Sequence, residues 1–323
     1  MNAAPEPRLP RPRVAWRDVD GILLLDKPLG LSSNEALQRV RRILRAAKAG
    51  HTGSLDPLAS GLLPLCFGQA TKISGMLLDA DKHYRVRARL GERTASGDRE
   101  GEVVERLPVP TLDPGALEAG LARFRGPIRQ VPPMYSALKH DGERLYVLAR
   151  QGVEVEREAR EVTIHSLELV GRDGDELELE VGCSKGTYIR TLVEDLARAW
   201  GTCGHVTMLR RTELGPFTGL PMHTLEALET AEAAGEEALA ALLLAPDVAV
   251  ADWPAVHLRE AEVSYLLQGQ GVFVAGPPGA RVRMYGPGDR FLGVGQMTPE
   301  GRRLAPVRLM INTAKAAATP GLA

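Results

Sequence analysis

The chain has 323 residues, more than one compact domain usually holds, and its 44% apolar and 25% charged residues are the composition of a soluble globular protein. No apolar run is long enough to cross a bilayer and no secretory leader opens the chain, which excludes membrane and exported classes and predicts a cytoplasmic protein. Lys and Arg (40) nearly balance Asp and Glu (41), and Cys66, Cys183 and Cys203 are too few and too scattered for a disulfide framework or a structural zinc site.

Residues 1–17 carry Pro5, Pro7, Pro10 and Pro12 among Arg8, Arg11 and Arg13 and read as a disordered basic arm. The apolar run Gly21 to Lys27, halted by Pro28, predicts a buried strand at the start of a first domain over 18–248. Ser32 with Glu35 has capping-box spacing, and Ala36, Leu37, Val40, Ile43, Leu44 and Ala47 recur at helical period, which turns Arg39, Arg41, Arg42, Arg45 and Lys48 outward. The loop Gly50-His51-Thr52-Gly53-Ser54-Leu55-Asp56-Pro57-Leu58-Ala59-Ser60-Gly61 follows, then a second buried strand, Leu62 to Phe67. From Lys82 to Leu90 residues alternate, with Tyr84, Val86, Ala88 and Leu90 on a core face and Arg85, Arg87 and Arg89 on a basic one. Net neutrality therefore hides two acid-free basic clusters flanking the loop, the footprint of phosphate binding, while the region after Thr224 is acidic.

Periodicity fades between Gly126 and Glu158, around Pro127, Pro132 and Pro133, so a long, partly mobile insertion is expected at about 127–158. Strands resume over 161–170 and 176–183, Thr191 with Glu194 suggests the cap of the next helix, and His205 to Glu213 reads as another strand. From Trp253, short β runs separated by Gly-Pro pairs predict a small β-rich domain over 249–311, with 312–323 a flexible tail.

No G-x-x-x-x-G-K-[ST] loop, H-E-x-x-H pair or strand-linked G-x-G-x-x-G is present, so no metal or other cofactor is expected and the chemistry falls to side chains. Asp56 is the first candidate. Pro57 pushes it out of the α region, and Gly50, Gly53 and Gly61 admit backbone angles closed to other residues. Asp-Pro equally suits a helix N-cap followed by a first helical residue, so the loop alone leaves both readings open. Tyr188 and Arg190, two apart, share a face if extended and diverge if helical. Arg190 could fix an aspartate by bidentate bonding, and its spacing equally suits a salt bridge to Glu194.

Six blocks in this order carry a resemblance: Asp26-Lys27-Pro28 with Ser32-Ser33-Asn34; the Gly50–Gly61 loop; Lys82-His83-Tyr84; Pro133-Met134-Tyr135-Ser136-Ala137-Leu138-Lys139; Lys185-Gly186-Thr187-Tyr188-Ile189-Arg190-Thr191; and Leu209-Arg210-Arg211. Together the chain resembles the bacterial tRNA pseudouridine-55 synthases of the TruB type. The resemblance implies an α+β pseudouridine synthase fold, with a mixed, largely antiparallel central sheet flanked by helices and loops, plus a small PUA-like RNA-binding barrel at the C-terminus. It implies a monomer acting on the tRNA T stem-loop without a guide RNA, metal or other cofactor. Asp56 would be the nucleophile, Arg190 would hold it, and Tyr188 would relay the C5 proton. Tyr84 would stack on the flipped uracil, His51 would contact the T loop, Leu209 would line the pocket, and Tyr188 and Lys27 would count with them as substrate-binding residues, Lys27 supporting the loop from the neighbouring turn. The RNA backbone would be gripped by Arg41, Arg42, Arg45, Lys139, Arg210 and Arg211. Two other classes stay open on the residues alone: an N-glycoside hydrolase with Asp195 as second carboxylate, and a non-catalytic RNA-binding protein in which Asp56 is only a cap.

Overall fold

The computed structural model describes residues 15–310, so the expectations for the arm up to residue 14 and for the tail from residue 311 lie outside it. In chain order the first domain contains β1 (Gly21–Lys27), α1 (Ser33–Ile43), β2 (Ala49–His51), β3 (Ala59–Phe67), β4 (Lys82–Leu90), β5 (Glu92–Thr94), β6 (Val103–Arg106), α2 (Pro114–Ala122) and β7 (Gly126–Gln130). It continues with β8 (Lys139–His140), β9 (Glu143–Arg144), α3 (Leu145–Arg150), β10 (Arg160–Asp173), β11 (Glu176–Cys183), α4 (Ile189–Ala199), β12 (Gly204–Leu214), α5 (Leu225–Ala234) and α6 (Glu236–Ala240). The second contains β13 (Ala255–His257), α7 (Glu260–Leu267), β14 (Val272–Phe273), β15 (Arg281–Gly286), β16 (Arg290–Met297) and β17 (Arg303–Leu309).

The main sheet runs β1-β3-β12-β4-β11-β10-β7, with β2 also on β3, and every pairing is antiparallel except β12 with β3. The expected mixed, largely antiparallel sheet is therefore present. β1 and β3 bury both faces, which is why they read as unbroken apolar runs. Leu23, Leu25, Leu63 and Leu65 face a core shared with α1, α4 and α5, while Ile22, Leu24, Leu62 and Cys66 face a second core that takes in Val294 and Met310 from the β domain. The two domains are also tied by Lys72 Nζ donating to Leu309 O at 2.8 Å and by Tyr285 OH donating to Asp247 Oδ2 at 2.8 Å. The second sheet has the order β13-β15-β16-β17-β14 over its own core of Val256, Val263, Val282 and Leu304.

The capping box on α1 forms, with Glu35 N donating to Ser32 Oγ and Ser32 N donating to Glu35 Oε2 at 2.8 Å. The helix ends at Ile43, short of Ala47, because Arg45 turns to a φ of 50° and the chain folds back. Trp16 and Arg17, assigned from sequence to the loose arm, are docked there: Trp16 lies under the Arg41 guanidinium and Arg17 pairs with Glu236. α4 begins at Ile189, not behind Thr191, which lies inside it. The cap position belongs to Tyr188, extended at φ −99° and ψ 106° and without a side-chain cap. Gly126 to Gln130, expected to open the insertion, forms the edge strand β7 on β10, where Pro127 costs no interior ladder bond. The second basic cluster is not acid-free in three dimensions. Register sets Arg85, Arg87 and Arg89 opposite Glu180, Glu178 and Glu176 of β11, and Glu178 pairs with both Arg85 and Arg87.

Gly61, the third residue of β3, has a φ of 95°, and a Cβ there would collide with the Arg211 carbonyl oxygen on β12. Gly61→Ala is accordingly expected to lose about 2–4 kcal/mol of stability, backbone strain added to a clash with backbone that cannot swing away. A urea midpoint unchanged from wild type would contradict this close packing.

Candidate active site

The loop bearing Asp56 is held from three sides. Ser33, at the start of α1, accepts from Leu55 N at 2.7 Å and donates to Leu55 O at 3.1 Å. Gly30 N donates to Pro57 O at 2.9 Å, and Ala59 N donates to Asp56 O at 3.0 Å, which closes the turn Asp56-Pro57-Leu58-Ala59. Proline suits the second position of such a turn. The chain then enters β3 directly, so there is no helix for Asp56 to cap, and among the described residues its carboxylate takes no backbone N–H. Gly53 has a φ of 90° and uses glycine's freedom; Gly50, inside β2, does not.

Among the described residues the Asp56 carboxylate has one partner, Arg190 Nη2, at 2.8 Å. The Asp56 side chain is 43% exposed and that of Arg190 only 6%, so the pair has a wet end and a buried end. The rest of the guanidinium is used as well: Nη1 donates to Ser96 O at 2.7 Å, Nη2 to Tyr135 O at 2.8 Å, and Nε lies 3.8 Å from Asp98 Oδ2. Arg190 therefore bonds forward into the site and not to Glu194, which packs against the Gly97 turn. A single cation thus gathers the Asp56 loop, the turn after β5 and the insertion onto the first turn of α4. Asp98 in turn accepts from Ser96 Oγ at 2.7 Å and Glu100 N at 3.0 Å.

Tyr188 stands beside this pair. The buried Gln130 amide accepts from Tyr188 N at 3.0 Å and donates to Tyr188 O at 3.3 Å, and so fixes the tyrosine backbone from β7. Burial raises the Tyr188 phenol above its ordinary pKa, with Asp56 adding to the rise and Arg190 opposing it. Tyr84, on β4, is half-buried, and burial raises its phenol too, again with a contribution from Asp56. Leu209 is 6% exposed on β12, level with Ala59 just past the Asp56 turn. His51 lies at the end of β2, and burial lowers its imidazole pKa, favouring the neutral ring. The structure thus brings Asp56, Arg190, Tyr188 and Tyr84 into one electrostatic neighbourhood.

Lys27 is placed beneath the loop and not in contact with solvent. It is fully buried, and Nζ donates to Pro28 O at 2.8 Å and Leu31 O at 2.7 Å, so it braces the turn and does not reach a substrate. Burial lowers its pKa from 10.5 to about 8, against the opposing pull of Asp56 and Glu100. The folded state then holds this proton less tightly than the unfolded chain, so the burial penalty is full below pH 8 and fades as pH rises from about 8 towards 10.5. Wild type is expected to gain stability relative to Lys27→Met across that window, read from urea midpoints below, within and above it. A constant difference would count against a charged lysine buried at this turn.

Residues 41–189 match the family described as TruB family pseudouridylate synthase (N terminal domain), residues 190–251 the tRNA pseudouridylate synthase B C-terminal domain, and residues 254–310 pseudouridine synthase II TruB, C-terminal. The chain is 54% identical over 301 residues to the tRNA pseudouridine synthase B of Nitrosococcus oceani, covering 93% of this chain and 97% of that protein. The corresponding protein of Ectopseudomonas mendocina is 55% identical over 296 residues, covering 91% and 96%. The chain belongs to the TruB family of pseudouridylate synthases. It is an isomerase that converts uridine in tRNA to pseudouridine. Among solved structures, a Cbf5-Nop10-Gar1 complex matches with a TM-score of 0.70 and 26% identity, over 90% of this chain and 85% of that one. An H/ACA RNP bound to a substrate RNA containing 2′-deoxyuridine shares the fold, at a TM-score of 0.69 and 24% identity over 90% of this chain and 85% of that one.

Membership in the TruB family removes both alternative classes, and Asp195, offered for hydrolysis, pairs with Arg198 at 3.6 Å. The basic residues assigned to RNA divide. Arg42 and Lys139 are outside any ion pair among the described residues. Arg41 is spent on Ala46 O and Ala47 O, and Arg45 on Glu236. Arg210 holds Asp26 with two nitrogens at 2.9 and 2.8 Å, and Arg211 is 1% exposed, so neither is a ready phosphate contact. Sequence reasoning passed over Gln130, Ser96 and Asp98. Asp98 carries a local signal, a carboxylate directly after a turn glycine, Gly97, while nothing near Gln130 marks it. No helix among the described residues is long and apolar enough to cross a membrane.

Proposed function

We propose that the chain isomerises uridine 55 in the T loop of tRNA, with the base flipped out of the loop and Asp56 as nucleophile. The observation that carries this reading is a carboxylate with no capping duty, open to solvent at one edge and held at 2.8 Å by a buried arginine. Such a group suits attack on, or stabilisation of, an oxocarbenium-like C1′. The N1–C1′ bond breaks, C1′ passes to Asp56, the base turns to present C5, and C5 then attacks C1′ and displaces the carboxylate. The C5 proton leaves and N1 takes one up, so atoms and charge balance with no oxidant or donor.

Arg190 orients the carboxylate, and Tyr188, a phenol that burial holds still more firmly in its neutral form, is placed to relay the proton from C5. Half-buried Tyr84 offers the ring on which a flipped base stacks. His51 faces the adjoining nucleotides and Leu209 supplies apolar contact. Arg42 and Lys139, on α1 and the β8–β9 hairpin, are the basic residues best placed to meet phosphates. The protein acts as a monomer without a guide RNA.

The test is to incubate unmodified tRNA with the purified protein alone and map pseudouridine. Product at position 55 only is expected. Product elsewhere, or none unless a guide RNA is added, would overturn the assignment, and free uracil with an abasic site would mark hydrolysis.

A further inference from the structure

β12 carries a charge deep inside the molecule. Arg211 is 1% exposed and heads the fully buried side chains by size. Its Nε donates to Leu62 O at 2.7 Å, while its Nη2 is buried and has no partner. Among the described residues no carboxylate pairs with it, and the neighbouring Asp26 is taken by Arg210. A buried guanidinium without a counter-charge is costly to a fold. Two further cations are buried close by and satisfied only by carbonyls: Lys27, by Pro28 and Leu31, and Lys82, by Leu78 and Ala80. Burial lowers both ammonium groups, and the Arg211 charge lowers them further.

The position of Arg211 is specific. It lies opposite Tyr84 across β12 and β4, and opposite Gly61, the last residue of the Asp56 loop, across β12 and β3. Its charge is felt by His51 and by the Tyr84 phenol. Three buried positive groups therefore lie behind Asp56, with Glu100 acting on Lys27 and Asp79 and Asp81 on Lys82 from further out. RNA phosphates cannot reach side chains buried to this depth, so these charges do not serve backbone binding.

A negative charge does arise within the site during the reaction. When N1–C1′ breaks and C1′ passes to Asp56, the bonding pair stays on the uracil, spread over N1, O2 and O4. The charge is cancelled once C5 bonds to C1′, the C5 proton leaves and N1 is protonated. Preorganised charge aimed where charge develops lowers a barrier most when no counter-charge already neutralises it, and Arg211 meets only the Leu62 carbonyl and the Tyr84 phenol. We infer that Arg211 is a positioning residue whose unpaired buried charge, set under Tyr84 and reinforced by Lys27 and Lys82, stabilises the uracil anion released from C1′. This rests on the reading of Asp56 as nucleophile.

The experiment compares wild type, Arg211→Met and Arg211→Lys as full-length proteins under single turnover. The two tRNA transcripts carry uridine or 5-fluorouridine at the target, and cleavage is followed as loss of the starting nucleoside. Fluorine withdraws electrons and makes the departing anion more stable. Arg211→Met is expected to be slower by about 100-fold on uridine and by about tenfold or less on 5-fluorouridine. Arg211→Lys should recover part of the loss. tRNA affinity should stay within about threefold, and the melting temperature should hold or rise, since an uncompensated charge has been removed. Equal losses on both substrates, with a lowered melting temperature, would make Arg211 structural and overturn the inference. A loss of tRNA affinity equal to the loss of rate would make it an RNA contact and overturn it too. Asp56→Asn, run beside them, keeps the readings apart: conversion of uridine by that variant at the wild-type rate would refute the nucleophile reading itself, a separate result.

Discussion

Asp56→Asn is expected to lower pseudouridine formation by about 10⁴-fold or more while tRNA affinity stays within a few-fold of wild type. The substitution keeps the shape of the side chain and one oxygen for the Arg190 bond at 2.8 Å, but removes the charge and the nucleophilic oxygen. Because Asp56 is 43% exposed, and Arg190 retains Asp98, Ser96 O and Tyr135 O, the folded state should lose little. The measurement is tritium release from C5-labelled uridine in tRNA, set beside filter retention of the same RNA. Release at the wild-type rate would remove Asp56 from the chemistry. A helix cap would have behaved differently, costing roughly 1 kcal/mol of stability and no rate. The turn geometry already separates the two, since Pro57 leads into β3 and no helix follows.

What the sequence disclosed and what it hid divide along the range of the forces involved. β1, β4, β11 and the α1 capping box are written in neighbouring residues, and they form as read. The start of α4 is not, because it is settled by Gln130, whose amide holds both backbone groups of Tyr188 from 58 positions away. The basic face of β4 looked unpaired for the same reason. Only the register with β11 reveals Glu176, Glu178 and Glu180 opposite its arginines. Arg210 and Arg211 are adjacent in sequence, yet strand alternation sends one to Asp26 at the half-exposed edge and the other into the interior. Motif blocks singled out Asp56 and Arg190, which the structure brings into contact, but carried no information about which nitrogen meets which oxygen. Asp98 and Ser96 entered the site only once β5 and its turn were seen to pack on α4.

Arg190→Met should damage fold and rate together, because it removes a charge and leaves two behind. Asp98 is 5% exposed, and without the guanidinium it becomes a carboxylate buried with only Ser96 Oγ and Glu100 N to meet it. Ser96 O and Tyr135 O lose their donors in the same step. Breaking a buried pair by deleting one partner costs about 3–5 kcal/mol, and the loss of orientation at Asp56 should lower the rate by about 10³-fold or more. Arg190→Lys keeps the charge but not the fork, so it can serve Asp56 or the two carbonyls and not all of them; an intermediate loss of about 10²-fold is expected. Stability and catalysis can be separated by the double variant Arg190→Met with Asp98→Asn. Neutralising Asp98 should recover a large part of the lost urea stability, since the stranded charge is gone, while activity stays at the level of the single variant because Asp56 is still unheld. Recovery of activity along with stability would mean that Arg190 serves the fold alone, and that Asp56 finds its orientation from the turn between Ser33 and Gly61 without help.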